Sequence, residues 1–349
     1  MIKKIKLLLP VVLILWVLSF YVSIKLGIIL FVLGLLVILS VIVFLLLNKA
    51  LKNTNWWNNQ YKATEQFISN SGYRDNIIRN FDIVNLGSNP ARFAFFYESV
   101  KGQSWATGSQ GLDMDFQILK YYHSYLKEGG VVLIPIMPFS AISPYLKERP
   151  KYWNISYYSK FAKILDNSQS ALLPYGNKLH NYLRFPLLYN LHALRYLIMD
   201  APLDNKYYID YQPMMQMELE QDARRWIKNW LIEFNMKDMS EVKHERWNKY
   251  FQEAVELTSS IIDFCIERNL KPVLICVPMT KHLSKFFTDS FHSHMIEEFV
   301  YKANKKNVQF LDYTYDERFS DDRLFFNSYF LNLNGRKEFT RQVLMDLNL

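Results

Sequence analysis

Between residues 7 and 47 the chain is almost continuously apolar, broken only by Lys25 and a Gly27 just after it. That run is too long for one membrane span and fits two at about 20 residues each. It predicts a helical hairpin, Leu7–Ile24 and Leu26–Leu47, turning near Lys25. No small-residue cleavage site separates the two runs, which argues for retained spans rather than a signal peptide. Residues 53–80 are polar, with Trp56, Trp57 and Tyr61 at the start, and read as a connector leaving the bilayer. Beyond it the period changes. Asp82–Leu86 is a short apolar strand ending in Gly87-Ser88, and Asn89-Pro90 opens a segment with helical spacing. Gly102–Gly111 is a loop rich in Gly and hydroxyls, Leu112–Leu126 a helix ended by Gly129-Gly130, and Val131–Ile136 a fully buried strand. Order returns with a helix over Trp247–Asn269, a strand at Val273–Val277, a helix near Ser290–Lys306, a strand at Val308–Leu311 and a last helix from Arg336.

Strands alternating with helices predict an α/β domain, a parallel sheet sandwiched by helices. The organisation is therefore 1–52 transmembrane hairpin, 53–80 connector and 81–349 α/β domain. Residues 143–243 lose the alternation and hold six prolines, so they read as an insertion of irregular helices. Within it Met217–Phe234 is amphipathic; an aromatic stripe of this kind packs on a domain more often than it lies on a membrane.

The 349 residues carry a formal charge of +8, 50% hydrophobic residues and 16% aromatics, which excludes a disordered or low-complexity chain. Part of the basic excess is juxtamembrane (Lys3, Lys4, Lys6, Lys49, Lys52) and suits anionic headgroups; no nucleic-acid module is present. Lysines at both outer ends of the hairpin place the domain on the cytoplasmic side by the positive-inside rule. The two cysteines, Cys265 and Cys276, lie in apolar runs as small hydrophobes, with no disulfide framework, metal motif or cofactor fingerprint.

In a parallel sheet ligands gather at the carboxyl ends of the strands. Those ends are Ser88, Phe139-Ser140, Met279-Thr280-Lys281-His282 and Asp312. A serine hydroxyl beside free helix N–H groups suits a nucleophile; Ser88 or Asn89 as a plain N-cap before Pro90 is the competing reading. His282 is the one histidine at a strand end and is a candidate surrogate base; Asp312, also at a strand end, has a similar case, with a capping or loop carboxylate as its competing reading. Arg92, one turn after Ser88, suits a phosphate or carboxylate. Asp113 and Asp115, two apart on a helix, do not form an acid/base pair.

Taken together, Gly87-Ser88 after a strand, Gly108 in the following loop and Leu331-Asn332-Leu333-Asn334-Gly335 near the end resemble the SGNH/GDSL hydrolase superfamily. The likeness is to its membrane-anchored branch, found with cell-surface polysaccharide and cell-wall D-alanylation systems, and covers about 81–344. It implies a flavodoxin-like sheet, Ser88 as nucleophile, and an oxyanion site of Ser88, Gly108 and, in place of the family's third-block Asn, Ser140. Arg92 and Asn332 would contact substrate. The family's Asp-x-x-His falls on Asn327 and Phe330. A phenyl ring cannot take the serine's proton. The resemblance thus implies a bacterial plasma-membrane protein that acts on, or only binds, acyl groups such as acetyl on a glycan. Its expected partners are the lipid bilayer, an acylated carbohydrate and other membrane proteins of the same pathway. Resembling proteins mostly work outside the membrane, against the charge rule, and the side stays open.

Overall fold

The computed structural model describes residues 17, 23–57, 80–106, 108, 110–148, 184–188, 190–201 and 215–349. The chain divides into two compact units.

The first unit holds helix α1 (Ile24–Leu51), residues 52–57 and residues 184–201. Its 28 residues rise about 42 Å at 1.5 Å each, enough to cross a hydrocarbon core about 30 Å thick. α1 is long and apolar enough to span a membrane, and its apolar side chains are exposed all round. The hairpin itself is not shown: its first span, Leu7–Ile24, lies outside the described residues except for Val17, Ser23 and Ile24. Near the expected turn, Ser23 is the N-cap of α1 and Lys25 lies in its first turn. Trp56 and Trp57 are buried within this unit, Trp56 stacked on Tyr196 at 5.1 Å.

The second unit is an α/β domain. Its strands are β1 (Phe81–Asn85), β2 (Gly102–Ser104), β3 (Leu126–Pro135), β4 (Lys271–Cys276) and β5 (Phe310–Asp312). They form one sheet in the order β2-β1-β3-β4-β5, every neighbour parallel. The helices are α2 (Leu112–Tyr122), α3 (Gln216–Glu233), α4 (Asn248–Ile266) and α5 (Leu333–Asp346), with shorter turns between. Side chains alternate across the sheet as a pleat requires. Ile83, Val131, Leu133, Val273 and Ile275 enter a core closed by Phe339, Val343 and Leu344 of α5. Val132, Ile134, Leu274 and Cys276, the alternate positions, are equally buried, and α4 packs on β4 and on α2. Burial on both faces explains why these strands read as unbroken apolar runs.

Three local expectations change. The segment after Ser88 is a single helical turn, Asn89–Arg92, because Phe93 and Phe95 leave it to pack elsewhere. The Gly-rich loop begins as β2, an edge strand of poor β-formers held by pairing Gly102, Gln103 and Ser104 with Ile83, Val84 and Asn85. Gly129-Gly130 lie inside β3 and do not end the helix. Phe81 pairs with Leu126 but Ile83 with Val131, so the extra residues bulge, and Gly129 supplies the left-handed φ of +72°. Of the insertion, α3 joins the domain through buried Leu219, Asp222, Ala223 and Ile227, whereas residues 184–201 belong to the first unit.

Candidate ligand cavity at the Ser88 turn

With β2 on one side of β1 and β3 on the other, consecutive connections leave the sheet in opposite directions between β1 and β3. A crevice opens there outside the strand ends. A cavity of about 210 Å³ occupies it, with Gly87, Ser88, Pro135, Met137 and Ser140 at its floor. Phe139, Trp226, Trp230, Phe234, Leu257 and Tyr329 supply apolar wall, while Gln110, Asp113, Asp115, Lys147 and Glu233 bring polar groups.

The floor is set by Gly87. Its φ of +104° turns the chain sharply after β1, and its N–H donates to Asp115 Oδ1 at 2.8 Å. Ser88 then occupies the N-cap position of the single turn, yet its side chain makes no capping hydrogen bond. Capping therefore does not account for the hydroxyl, which lines the cavity instead. A helix of one turn also has little dipole to offer an oxyanion. Gly108 sits beside this turn: a Cβ there would lie 3.1 Å from Asn89 Oδ1. Ser140 Oγ accepts the Met137 N–H at 2.8 Å and keeps its own proton for a ligand.

Asp115 is the residue that sequence reasoning missed. It is buried in the first turn of α2, and the same Oδ1 that holds Gly87 accepts from Gln110 Nε2. Burial pushes its carboxyl up to about 7, although the Gln110 and Gly87 donors pull the other way. The signal was present: Leu112, Asp115, Ile118, Leu119 and Tyr122 share one helical stripe, so Asp115 sits on the buried face. Asp113 lines the same cavity in a different setting, half-buried and 4.0 Å from Lys147 Nζ, which itself pairs with Glu253 at 2.8 Å.

The other expected site residues lie elsewhere. His282 follows β4, two strands from β1, and Asp312 ends β5, three strands away. At about 4.8 Å per strand these offsets are roughly 10 and 14 Å. Both ring nitrogens of His282 are engaged, by Glu220 at 3.2 Å and Asp322 at 2.9 Å. Asp312 binds His292 at 2.8 Å and the Thr314 N–H at 2.9 Å. Burial alone would raise the Asp312 carboxyl, but these hydrogen bonds hold it below its ordinary value. Neither residue lines the Ser88 cavity, so Ser88, His282 and Asp312 are not brought together. Arg92 lies over the Phe93 ring, 5.6 Å from its centroid, and is not part of the cavity wall.

Asn332, expected at a substrate, is the N-cap of α5. Its Oδ1 accepts from the Gly335 N–H at 3.0 Å and its Nδ2 donates to Arg323 O at 2.6 Å. Asn332→Ala should lower the urea midpoint by an amount equivalent to about 1–2 kcal/mol. It should leave reagent access to Ser88 unchanged, an outcome that a ligand-contacting residue would not give.

Asn327 and Phe330 have structural partners. Asn327 Oδ1 accepts the N–H groups of Tyr329 at 2.9 Å and Phe330 at 2.7 Å, closing an Asx turn. The Phe330 ring stacks on Phe93 at 5.1 Å and meets Trp226 edge-on at 5.4 Å. Beside them Asp222 accepts from Ser328 Oγ at 2.5 Å and pairs with Arg225, tying α3 to this loop. Among the described residues no cluster of three or more His, Cys, Asp and Glu side chains is placed to hold a metal ion. No protein-family model matches the chain, and no curated protein matches it.

Proposed function

We propose that this chain is a membrane-anchored, catalytically degenerate relative of the SGNH/GDSL hydrolases. It would bind an acylated glycan of bacterial surface polysaccharide metabolism, with the acyl group seated in the Ser88 cavity. The strand order β2-β1-β3-β4-β5 supports the relationship, being that of flavodoxin-like doubly wound sheets. α1 would hold the domain at the bacterial plasma membrane. One observation carries the reading: a serine hydroxyl stands in a largely apolar cavity while an Asx turn at Asn327 and a stacked Phe330 fill the positions of acid and base. Such a site retains shape and hydrogen-bonding capacity for an acyl ester. Without a general base, turnover falls by a factor on the order of 10²–10⁴.

The test is reaction of the detergent-solubilised protein with a fluorophosphonate probe and with p-nitrophenyl acetate, beside Ser88→Ala. The expected result is no Ser88-dependent labelling or turnover at pH 6. A second reading, acyl transfer through Ser88, is favoured by a single feature: the Asp115 carboxyl, raised to about 7, borders the same cavity. Ser88-dependent labelling that rises as the pH passes about 7 would establish that reading and displace the first.

A further inference from the structure

Residues 184–201 play no part in the Ser88 cavity, and the sequence left them inside an unreadable insertion. They form two short 3-10 turns, Pro186–Leu188 and Leu191–Leu197, packed against the carboxyl-terminal end of α1. The attachment is specific. Asn48, only 2% exposed in the last turns of α1, accepts the Leu187 N–H at 3.0 Å and donates to Phe44 O at 2.8 Å. Phe185 lies against Phe44 at 5.8 Å, Tyr196 stacks on Trp56, and Asp200 accepts the N–H groups of Asn55 and Trp56.

Among the described residues of this segment, only Pro186, Leu187 and Ala193 are buried. The outer side carries Leu188, Leu191, Ile198 and Met199 at 59, 70, 92 and 79% exposure. Burying large apolar side chains is favourable, so several left open on one short segment mark a contact surface.

Its position along α1 says what covers it. A span that ends near Leu47 fills a hydrocarbon core of about 20 residues and puts Asn48 at the core boundary. Phe44 and Asn48, the residues that grip this segment, therefore set its depth. Lys49, Lys52, Arg184 and Arg195 lie at the same end of the unit, with Arg184 over Phe185 and Arg195 over Tyr196. Arg and Lys among aromatic rings beside exposed aliphatic side chains is the composition of a membrane interface. Burial, and then the nearby Arg184 charge, hold Lys52 below the ordinary lysine value, so two cations are crowded where an anionic headgroup would relieve them.

We propose that residues 185–188 and 190–199 are a second membrane contact, a foot lying in the interface of the leaflet where α1 ends, with the lipid bilayer as its partner. This rests on the reading of α1 as a membrane span. The 3-10 turns satisfy much of their own backbone hydrogen bonding, as insertion near the hydrocarbon demands.

The test uses the full chain in vesicles of phosphatidylcholine and phosphatidylglycerol, with an environment-sensitive fluorophore on single introduced cysteines. Native Cys265 and Cys276 are buried and do not compete. Labels on Leu191→Cys and Ile198→Cys should shift to the blue and be quenched more by lipids spin-labelled near the glycerol than near the chain end. A label on Leu36→Cys, in the middle of α1, should show the reverse, and one on Tyr301→Cys, 83% exposed in the α/β domain, should be quenched by neither. If position 36 is quenched from the chain end while 191 and 198 behave like 301, the anchor stands and the foot is wrong. Shielding of 191 and 198 from aqueous iodide without quenching by either lipid would also overturn it, in favour of a protein covering the patch. Loss of quenching at position 36 would remove the anchor and the foot together.

Discussion

Gly87→Ala is expected to destabilise the α/β domain by about 2–5 kcal/mol and to displace the Ser88 turn. Two costs act together. The backbone stands at φ +104°, a conformation that a residue with a Cβ rarely adopts. The added methyl would also lie 2.9 Å from both Ala91 Cβ and Pro135 Cγ. Neither neighbour can retreat easily, because Ala91 is in the turn that follows and Pro135 ends β3 beside Ile275 of β4. Gly129 separates the two costs. It also has a left-handed φ, +72°, but nothing within 4 Å of the new Cβ, so Gly129→Ala should lose only about 1–2 kcal/mol. Urea unfolding of both variants in detergent, followed by circular dichroism, gives the comparison. Equal midpoints would mean that the contact of Gly87 with Ala91 and Pro135 is not tight, and the account of a rigid cavity floor would fall with it.

What the sequence made legible follows the strength of each periodic signal. β3 and β4 were readable because a strand buried on both faces is apolar at every position, and Val131–Pro135 and Val273–Cys276 are; β1 was readable from the shorter apolar pair Ile83-Val84 leading into Gly87-Ser88. β2 was not, since Gly102, Gln103 and Ser104 have little β-propensity and owe their conformation to pairing with β1. The position of Ser88 at a strand end was likewise a local inference. The grouping of His282 and Asp312 with it depended on strand order, which no local pattern encodes: β4 and β5 lie on the far side of β3. The foot at 185–188 and 190–199 was hidden for a similar reason. Its apolar residues have no regular period, and it is long-range contacts, among them the Leu187 N–H to Asn48, Phe185 against Phe44 and Tyr196 on Trp56, that place them at the end of α1.

At the two positions that the resemblance would give to an acid and a base, the side chains have structural partners of their own. Asn327 binds two backbone N–H groups that an unpaired loop would leave open, and Phe330 joins Phe93, Phe326, Trp226 and Tyr329 in one aromatic cluster. Each aromatic pair adds about 0.5–1.5 kcal/mol beyond simple burial. On the proposed reading, stability takes the place of proton transfer at these positions, while the hydroxyl of the serine beside the cavity makes no capping bond.

Asp115 should give the domain a stability that falls as pH rises from about 4 to about 7 and levels off above that. Its carboxyl has an ordinary value of 3.8 and is raised by burial to about 7, so in this window the folded state holds a proton that the unfolded chain has released. Stability then drops by up to about 1.4 kcal/mol per pH unit, several kcal/mol across the window. Asp115→Asn removes the titration but keeps an oxygen able to accept from Gly87 N–H and Gln110. The variant should exceed the wild type by only about 1–2 kcal/mol near pH 5 and by several kcal/mol at pH 8. His292, raised by its bond to Asp312, also weakens the fold as pH rises, but it titrates in both proteins and drops out of the difference. Urea midpoints of the two proteins at pH 5 and pH 8 decide the matter: parallel pH dependences would mean that Asp115 ionises normally. The same comparison bears on chemistry. If Ser88 reacts with a fluorophosphonate only above pH 7, and Asp115→Asn abolishes that reactivity without lowering stability, then the carboxylate beneath the turn is the proton acceptor that His282 was expected to be.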